Sequence, residues 1–170
     1  NPLLEAFGNA KTVRNNNSSR FGKYMEIFFN HSGVIIGGQV TNFLLEKSRV
    51  ISQTASERNF HIFYQLFTDK VLKQKLSLDI PQRYEYLNSS GCFTVPDIDD
   101  EKDFQLTKQA LTMIGVQEGT QERIFELLAA ILHLGNIHFA AVGNGCKVSN
   151  REVLKIAAYQ LHLDETSLER

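Results

Sequence analysis

The stretch from Tyr24 to Leu45 constrains the fold more than any other part of the chain. Tyr24 to Phe29 (YMEIFF) is a compact run of β-forming residues, and Val34 to Leu45 is a second extended run. Between them, Asn30-His31-Ser32-Gly33 is a turn signal, so the two runs pair as a hairpin. Gly37-Gly38 interrupts the second run and predicts a bulge or a close backbone approach. A hairpin presents unpaired strand edges that other strands normally cover. The pair therefore reads as part of a larger twisted sheet.

Helical periods dominate the rest. Ahead of the hairpin, Leu3, Leu4 and Phe7 put a short helix within Asn1 to Lys11, with Gly8 as its stop. Phe60, Phe63, Tyr64 and Phe67, widened by Ile62 and Leu66, predict a largely buried helix with Ser56 as N-cap. A loop-rich stretch punctuated by Pro81, Gly91 and Pro96 ends in an acidic patch, Asp97, Asp99, Asp100 and Glu101. That patch suits the positive end of a helix carrying Phe104, Leu111 and Ile114, which stops at Gly115. Gln121 to Leu134 carries Ile124, Leu127, Leu128, Ile131 and Leu132 as one stripe, with Thr120 before it and Gly135-Asn136 as a left-handed stop. Gly143, Asn144 and Gly145 mark a flexible turn. Ser149 and Glu152 form a capping box for a helix with Leu154, Ala157, Ala158 and Leu161 inside, and Asp164 caps a last helix. The expected fold class is mixed α/β and helix-rich.

Composition narrows the function classes. The chain of 170 residues is long enough for one domain or a slice of a larger one. Its net charge of −1 gives no broad basic field for nucleic acid or an anionic membrane surface. Cys92 and Cys146 are too few for a disulfide framework or a thiolate metal site and read as free, buried or half-buried thiols. No apolar run reaches the length of about 18 residues that suggests a membrane span, and Asn1 to Gly8 has neither the basic head nor the apolar core of a signal peptide. The start is not Met and the helical pattern runs to Glu169-Arg170, so the chain reads as cut from a longer protein.

The chemical interest lies in Lys11 to Gly22, a polar loop without apolar period. Asn15-Asn16-Asn17-Ser18-Ser19-Arg20 packs three carboxamides, two hydroxyls and a guanidinium into six residues. Ser and Asn compete with a helical backbone, so a loop suits them. Hydroxyls are hard-oxygen ligands for Mg²⁺, carboxamides and backbone N–H groups suit phosphate oxygens, and Arg can pair bidentately with a carboxylate or hold phosphate charge. Composition alone leaves a solvated polar turn open beside this reading.

The string from Asn15 through Arg20 to Phe21-Gly22-Lys23 resembles the switch I loop of myosins. LEAFGNAKT (Leu4 to Thr12) is similar to the stretch leading into that loop, GGQVTNFLLEKSRV (Gly37 to Val50) to the transducer strand, and ERNFHIFYQL (Glu57 to Leu66) to the buried helix after it. YLNSSGCF (Tyr86 to Phe93) and LLAAILHLGNIHF (Leu127 to Phe139) continue the resemblance in order across the chain. Kinesins build a switch from the same residue types but follow the Arg with Ser-His, so Phe21-Gly22-Lys23 favours myosin.

The resemblance implies a P-loop NTPase motor domain: residues 1–23 as lead-in helix and switch I, 24–50 as transducer-type hairpin and 51–170 as the helical upper 50K region. It implies ATP and Mg²⁺ as ligands. Ser19 would hold Mg²⁺, Ser18 would contact the γ-phosphate region and help position the attacking water, and Asn15 would reach the phosphates. Asn17 would brace the loop and its phosphate contacts, and Arg20 would pair with a switch II glutamate on closure. The implied parent is an actin-activated ATP hydrolase of the cytoplasm and actin cytoskeleton, with actin filaments and calmodulin-like light chains as partners and a class I lean. A structural or adaptor relative that keeps the motor fold without turnover is the alternative.

The departures are as specific. The chain contains no GxxxxGK[ST] phosphate loop and no DxxGFE string, so it is expected to be inactive alone, with Arg20 lacking its partner. Of the other polar residues, His31, His61, His133, His138 and His162 show no ligand spacing and read as packed or surface histidines. Glu57-Arg58 reads as a surface or helix-start ion pair.

Overall fold

A computed structural model describes residues 2–169. Asn1 and Arg170, the two expected cut ends, lie outside the described residues. The first helix, α1, spans Pro2–Gly8. It leads into β1 (Asn9–Ala10), which pairs antiparallel with β2 (Ser18–Ser19), so the polar loop is closed at its base by a short ladder that its composition does not signal.

The hairpin is formed by β3 (Gly22–Phe29) and β4 (Ile35–Phe43). Its turn needs a left-handed residue, and Gly33 supplies it at φ 75°. The register shifts between Phe28, opposite Gly37, and Phe29, opposite Ile35, so the irregularity falls beside the glycine pair. Both faces are apolar and exposed among the described residues: Tyr24 is 59% exposed, Phe29 56% and Ile36 66%.

The remainder is helical around one core. It runs through α2 (His61–Gln65), α3 (Lys70–Lys75), α4 (Glu85–Asn88), α5 (Asp100–Met113) and α6 (Glu118–Gly135). A second hairpin of β5 (Phe139–Val142) and β6 (Gly145–Val148) precedes α7 (Arg151–Leu161) and α8 (Glu165–Glu169). Phe60, Phe63 and Leu66 from around α2 meet Phe104 and Leu111 of α5 and Phe125 and Leu132 of α6. Phe104 and Phe125 stack edge to face with ring centroids 5.2 Å apart.

Several boundaries differ from the sequence reading for visible reasons. Ser56 does not cap the buried helix. The segment after it stays non-helical, because Arg58 N donates to Lys11 O at 2.9 Å and Phe60 bridges Ala10, so α2 starts only at His61. Glu57 and Arg58 are neither a pair nor on the surface: Arg58 is fully buried and binds Asp100, while Glu57 binds Arg49. The helix placed at Gln121 begins earlier, at Glu118, without a side-chain cap. Gly135 ends it without a left-handed turn, and its lack of a side chain serves packing instead: an added Cβ would lie 2.7 Å from the Tyr86 ring. Ser149 makes no capping box, since its Oγ donates to His138 O at 3.1 Å and Asn150 heads α7. Ile114 and Leu127 are exposed, and so is the Cys146 thiol. The acidic start of α5 holds, with Asp99 accepting from Lys102 N at 3.0 Å, as does Asp164, which accepts from Ser167 N at 3.0 Å. Among the described residues no helix is long and apolar enough to cross a membrane.

Candidate functional site

The loop between β1 and β2 is held by its own polar side chains. Asn9 stands opposite Ser19 and Ala10 opposite Ser18, and Arg20 N donates to Gly8 O at 2.8 Å, which fixes where the loop leaves and rejoins the body. At the tip, Thr12 Oγ1 donates to Asn15 O at 3.1 Å and accepts from Asn15 N at 3.1 Å. Asn15 Oδ1 accepts from Asn17 N at 2.9 Å, a local turn of the kind that keeps Asn and Ser out of helices. Asn16 Nδ2 reaches Asp97 Oδ2 at 3.3 Å.

Asn17 is engaged on both ends of its carboxamide. Nδ2 donates to Glu5 Oε2 at 3.0 Å, and Oδ1 lies 2.9 Å from Asn9 Nδ2 and 3.1 Å from His61 Nε2. The neighbouring hydroxyls are committed in opposite senses. Ser19 Oγ donates to Asn9 Oδ1 at 3.0 Å, which leaves its oxygen lone pairs for a ligand. Ser18 Oγ accepts from Arg20 Nη1 at 3.2 Å, which leaves its proton as a donor. Arg20 Nε then binds Glu46 Oε2 at 2.7 Å, so this guanidinium does have a carboxylate within the chain.

Glu46 is shared. Arg49 Nε also lies 2.7 Å from its Oε2, and Arg49 continues to Glu57 at 3.0 Å. Partial burial would raise the Glu46 carboxyl, but hydrogen bonds from Arg20 and Arg49 outweigh it and hold the group below the usual carboxylate range. Burial, helped by the Arg58 charge, pushes the His61 imidazole down to about 4, so it is neutral near pH 7.

The loop separates two recesses. A cleft of about 360 Å³ is lined by Asn15, Asn16, Asn17, His61, Asp97 and Asp103, among others. A smaller recess of about 180 Å³ is lined by Glu5, Asn9, Ser19, Phe21 and Lys23, among others. Glu5 lies in the wall of both. The larger cleft sets the carboxylates of Asp97 and Asp103 opposite the carboxamides of the loop, whereas the smaller one joins a hydroxyl to an ammonium. Among the described residues no group of three or more His, Cys, Asp or Glu can hold a metal, so a cation here would depend on the Ser19 oxygen and on ligands from elsewhere.

The candidate residues Asn15, Asn17, Ser18, Ser19 and Arg20 are thus contiguous in space as in sequence, but Asn15 and Asn17 line the larger recess, Ser19 the smaller one, and Ser18 and Arg20 neither. Sequence reasoning missed Glu5, Asn9, His61 and Glu46. The signal available for the first two was polarity: both interrupt the otherwise apolar helix and exit of LEAFGNA.

A hairpin, a short closed loop of Asn, Ser and Arg, and a helical core together define a mixed α/β, helix-rich segment of the kind found in P-loop NTPase motor domains. The chain belongs to the myosin head (motor domain) family, whose model matches residues 1–170. It is 51% identical to the Myosin ID heavy chain of Dictyostelium discoideum across 100% of its own length and 16% of that protein's. It is 52% identical to the Myosin IA heavy chain of the same organism over 99% of this chain and 18% of that one. Against Myosin-1 of Emericella nidulans it is 50% identical over 96% of this chain and 13% of the relative. The chain therefore spans less than a fifth of the length of these relatives.

Proposed function

We propose that this chain supplies the switch I loop, with its transducer-type hairpin and upper 50K helices, to an actin-activated ATP hydrolase that moves on actin filaments. The observation that carries the reading is the opposed commitment of two adjacent hydroxyls. Ser19 gives its proton to Asn9 and keeps its lone pairs, which suits a divalent cation, while Ser18 accepts from Arg20 and keeps its proton, which suits a phosphate oxygen or the attacking water.

In this reading Ser19 would hold Mg²⁺, which would supply charge neutralisation at the phosphate oxygens. Ser18 and Asn15 orient the γ-phosphate region, and Asn17 braces both through its bonds to Glu5 and Asn9. Arg20 exchanges Glu46 for a carboxylate on a switch II segment as the site closes, which shuts out water and couples chemistry to shape. The phosphate loop and switch II belong to other parts of the motor, so the 170-residue chain alone is inactive. The similarity to myosin I heavy chains supports a class I parent of the cytoplasmic actin cytoskeleton with calmodulin-like light chains.

The test is steady-state phosphate release by the complete motor, with and without actin filaments. Turnover that rises with filament concentration is expected. Filament binding without turnover would instead assign the chain to a structural or adaptor protein on the same fold.

A further inference from the structure

The hydrogen bonds behind Ser19 run in one direction, and the direction is set three hydrogen bonds away from the hydroxyl itself. A carboxylate only accepts, so the 3.0 Å contact between Glu5 Oε2 and Asn17 forces the Asn17 NH₂ group towards Glu5. Asn17 Oδ1 must then face Asn9 and His61, both as donors, at 2.9 and 3.1 Å. With its NH₂ committed to Asn17, Asn9 can offer only Oδ1 to Ser19, 3.0 Å away, and the hydroxyl has to donate. His61 agrees independently. Donating from Nε2 in its neutral form leaves Nδ1 without a proton, and Nδ1 is buried without a partner. The arrangement is rigid where it matters: Asn9 is 6% exposed and sits opposite Ser19 in the ladder.

We infer that Glu5 and Asn9 are positioning residues for Ser19: a one-way chain from the Glu5 carboxylate through Asn17 and Asn9 takes up the Ser19 proton and turns the oxygen lone pairs outward to a divalent cation. Without that chain the hydroxyl rotates freely, and a ligand oxygen that must be reoriented binds a hard cation less well. The inference rests on Ser19 as the cation ligand proposed above and adds the residues that hold it ready.

The experiment uses the complete motor and reads the free Mg²⁺ concentration at half-maximal retention of a fluorescent ADP analogue, a binding readout separate from turnover. Ser19→Ala tests the ligand itself and is expected to raise that midpoint. Asn9→Ala removes the acceptor for the Ser19 proton and is expected to raise it by about tenfold. Glu5→Gln is expected to move it the same way by less, because a glutamine amide still accepts but no longer enforces the direction. Glu5→Asp, which still only accepts, is expected to stay nearer wild type than Glu5→Gln. A shift with Ser19→Ala but wild-type midpoints for Asn9→Ala and Glu5→Gln would overturn the inference and leave the cation role of Ser19 standing. No shift with Ser19→Ala would overturn both. The unaltered protein gives a second readout that needs no variant to fold. In the ¹⁵N-histidine-labelled motor, His61 is expected as the Nε2–H tautomer, and an Nδ1–H tautomer would overturn the direction assigned to the chain.

Discussion

Arg20 Nε and Glu46 Oε2 lie 2.7 Å apart, and the same carboxylate oxygen is 2.7 Å from Arg49 Nε. One carboxylate thus serves two guanidiniums, one buried and one beside the candidate site. If Arg20 must leave Glu46 to meet another carboxylate, Glu46 competes with closure. Glu46→Gln in the complete motor is expected to weaken this hold and enlarge the rapid-hydrolysis burst in quench-flow. Arg49, which is buried, loses a charged partner in the same variant but keeps Glu57, so a loss of stability is expected to accompany the change. A diminished burst would mean that Glu46 supports closure instead.

Arg58 is fully buried, binds Asp100 through Nη1 at 3.0 Å and Nη2 at 2.7 Å, and lies 3.8 Å from the centre of the Tyr64 ring. This pair joins the strand-like segment before α2 to the first turn of α5. Removing one partner leaves a charge uncompensated, so Asp100→Ala is expected to cost about 3–5 kcal/mol. The double replacement Arg58→Met with Asp100→Leu is expected to recover most of that. Urea unfolding of the motor, followed by a probe on α5, checks both, and equal losses in the single and double variants would contradict the account.

His61 gives the fold an acid sensitivity. Its folded value of about 4 lies below the ordinary 6.5, so between those limits the unfolded chain binds the extra proton and stability rises with pH. Relative to His61→Gln, the wild type is expected to lose about 2 kcal/mol between pH 7 and pH 5. His133, also lowered by burial, acts in the same direction in both proteins and cancels from the comparison. Thermal midpoints measured across this range decide it, and parallel curves would contradict a neutral, buried His61.

Gly8 ends α1 against the aromatic ring that follows Arg20. A Cβ there would lie 2.4 Å from Cδ1 and Cε1 of Phe21, and Gly8 O receives the Arg20 N–H. Gly8→Ala is expected to destabilise by about 1–3 kcal/mol and to slow the Arg20-dependent step. Phe21→Leu in the same background is expected to restore part of the stability. A neutral Gly8→Ala melt would show that the ring moves aside freely.

The hairpin of β3 and β4 was legible because period, turn and glycine pair all lie within one stretch of sequence, and α5 to α7 were legible from their apolar stripes. Helix starts were not. The start of α2 is set by pairing with Ala10 and Lys11, some fifty residues upstream, and no local pattern records that. The β5–β6 hairpin escaped because Ala140, Ala141 and Cys146 carry little strand preference, and the Gly143-Asn144-Gly145 turn looks the same with or without strands beside it. The loop itself could be read because its residues are consecutive. Its supports could not, since Glu46 lies 26 residues from Arg20 and His61 lies 44 from Asn17. Distance in sequence hid them, although their chemistry is ordinary.

Transient kinetics of Ser19→Ala and Arg20→Ala in the complete motor tests the central claim most directly. Ser19→Ala is expected to lose both Mg²⁺-dependent nucleotide affinity and hydrolysis. Arg20→Ala is expected to bind ATP and release actin nearly as the wild type does, while hydrolysis falls by about 10²–10³-fold, the usual size for one preorganised charged group. Normal hydrolysis in Arg20→Ala, or equal loss of ATP binding in the two variants, would contradict the division of roles along Asn15 to Arg20.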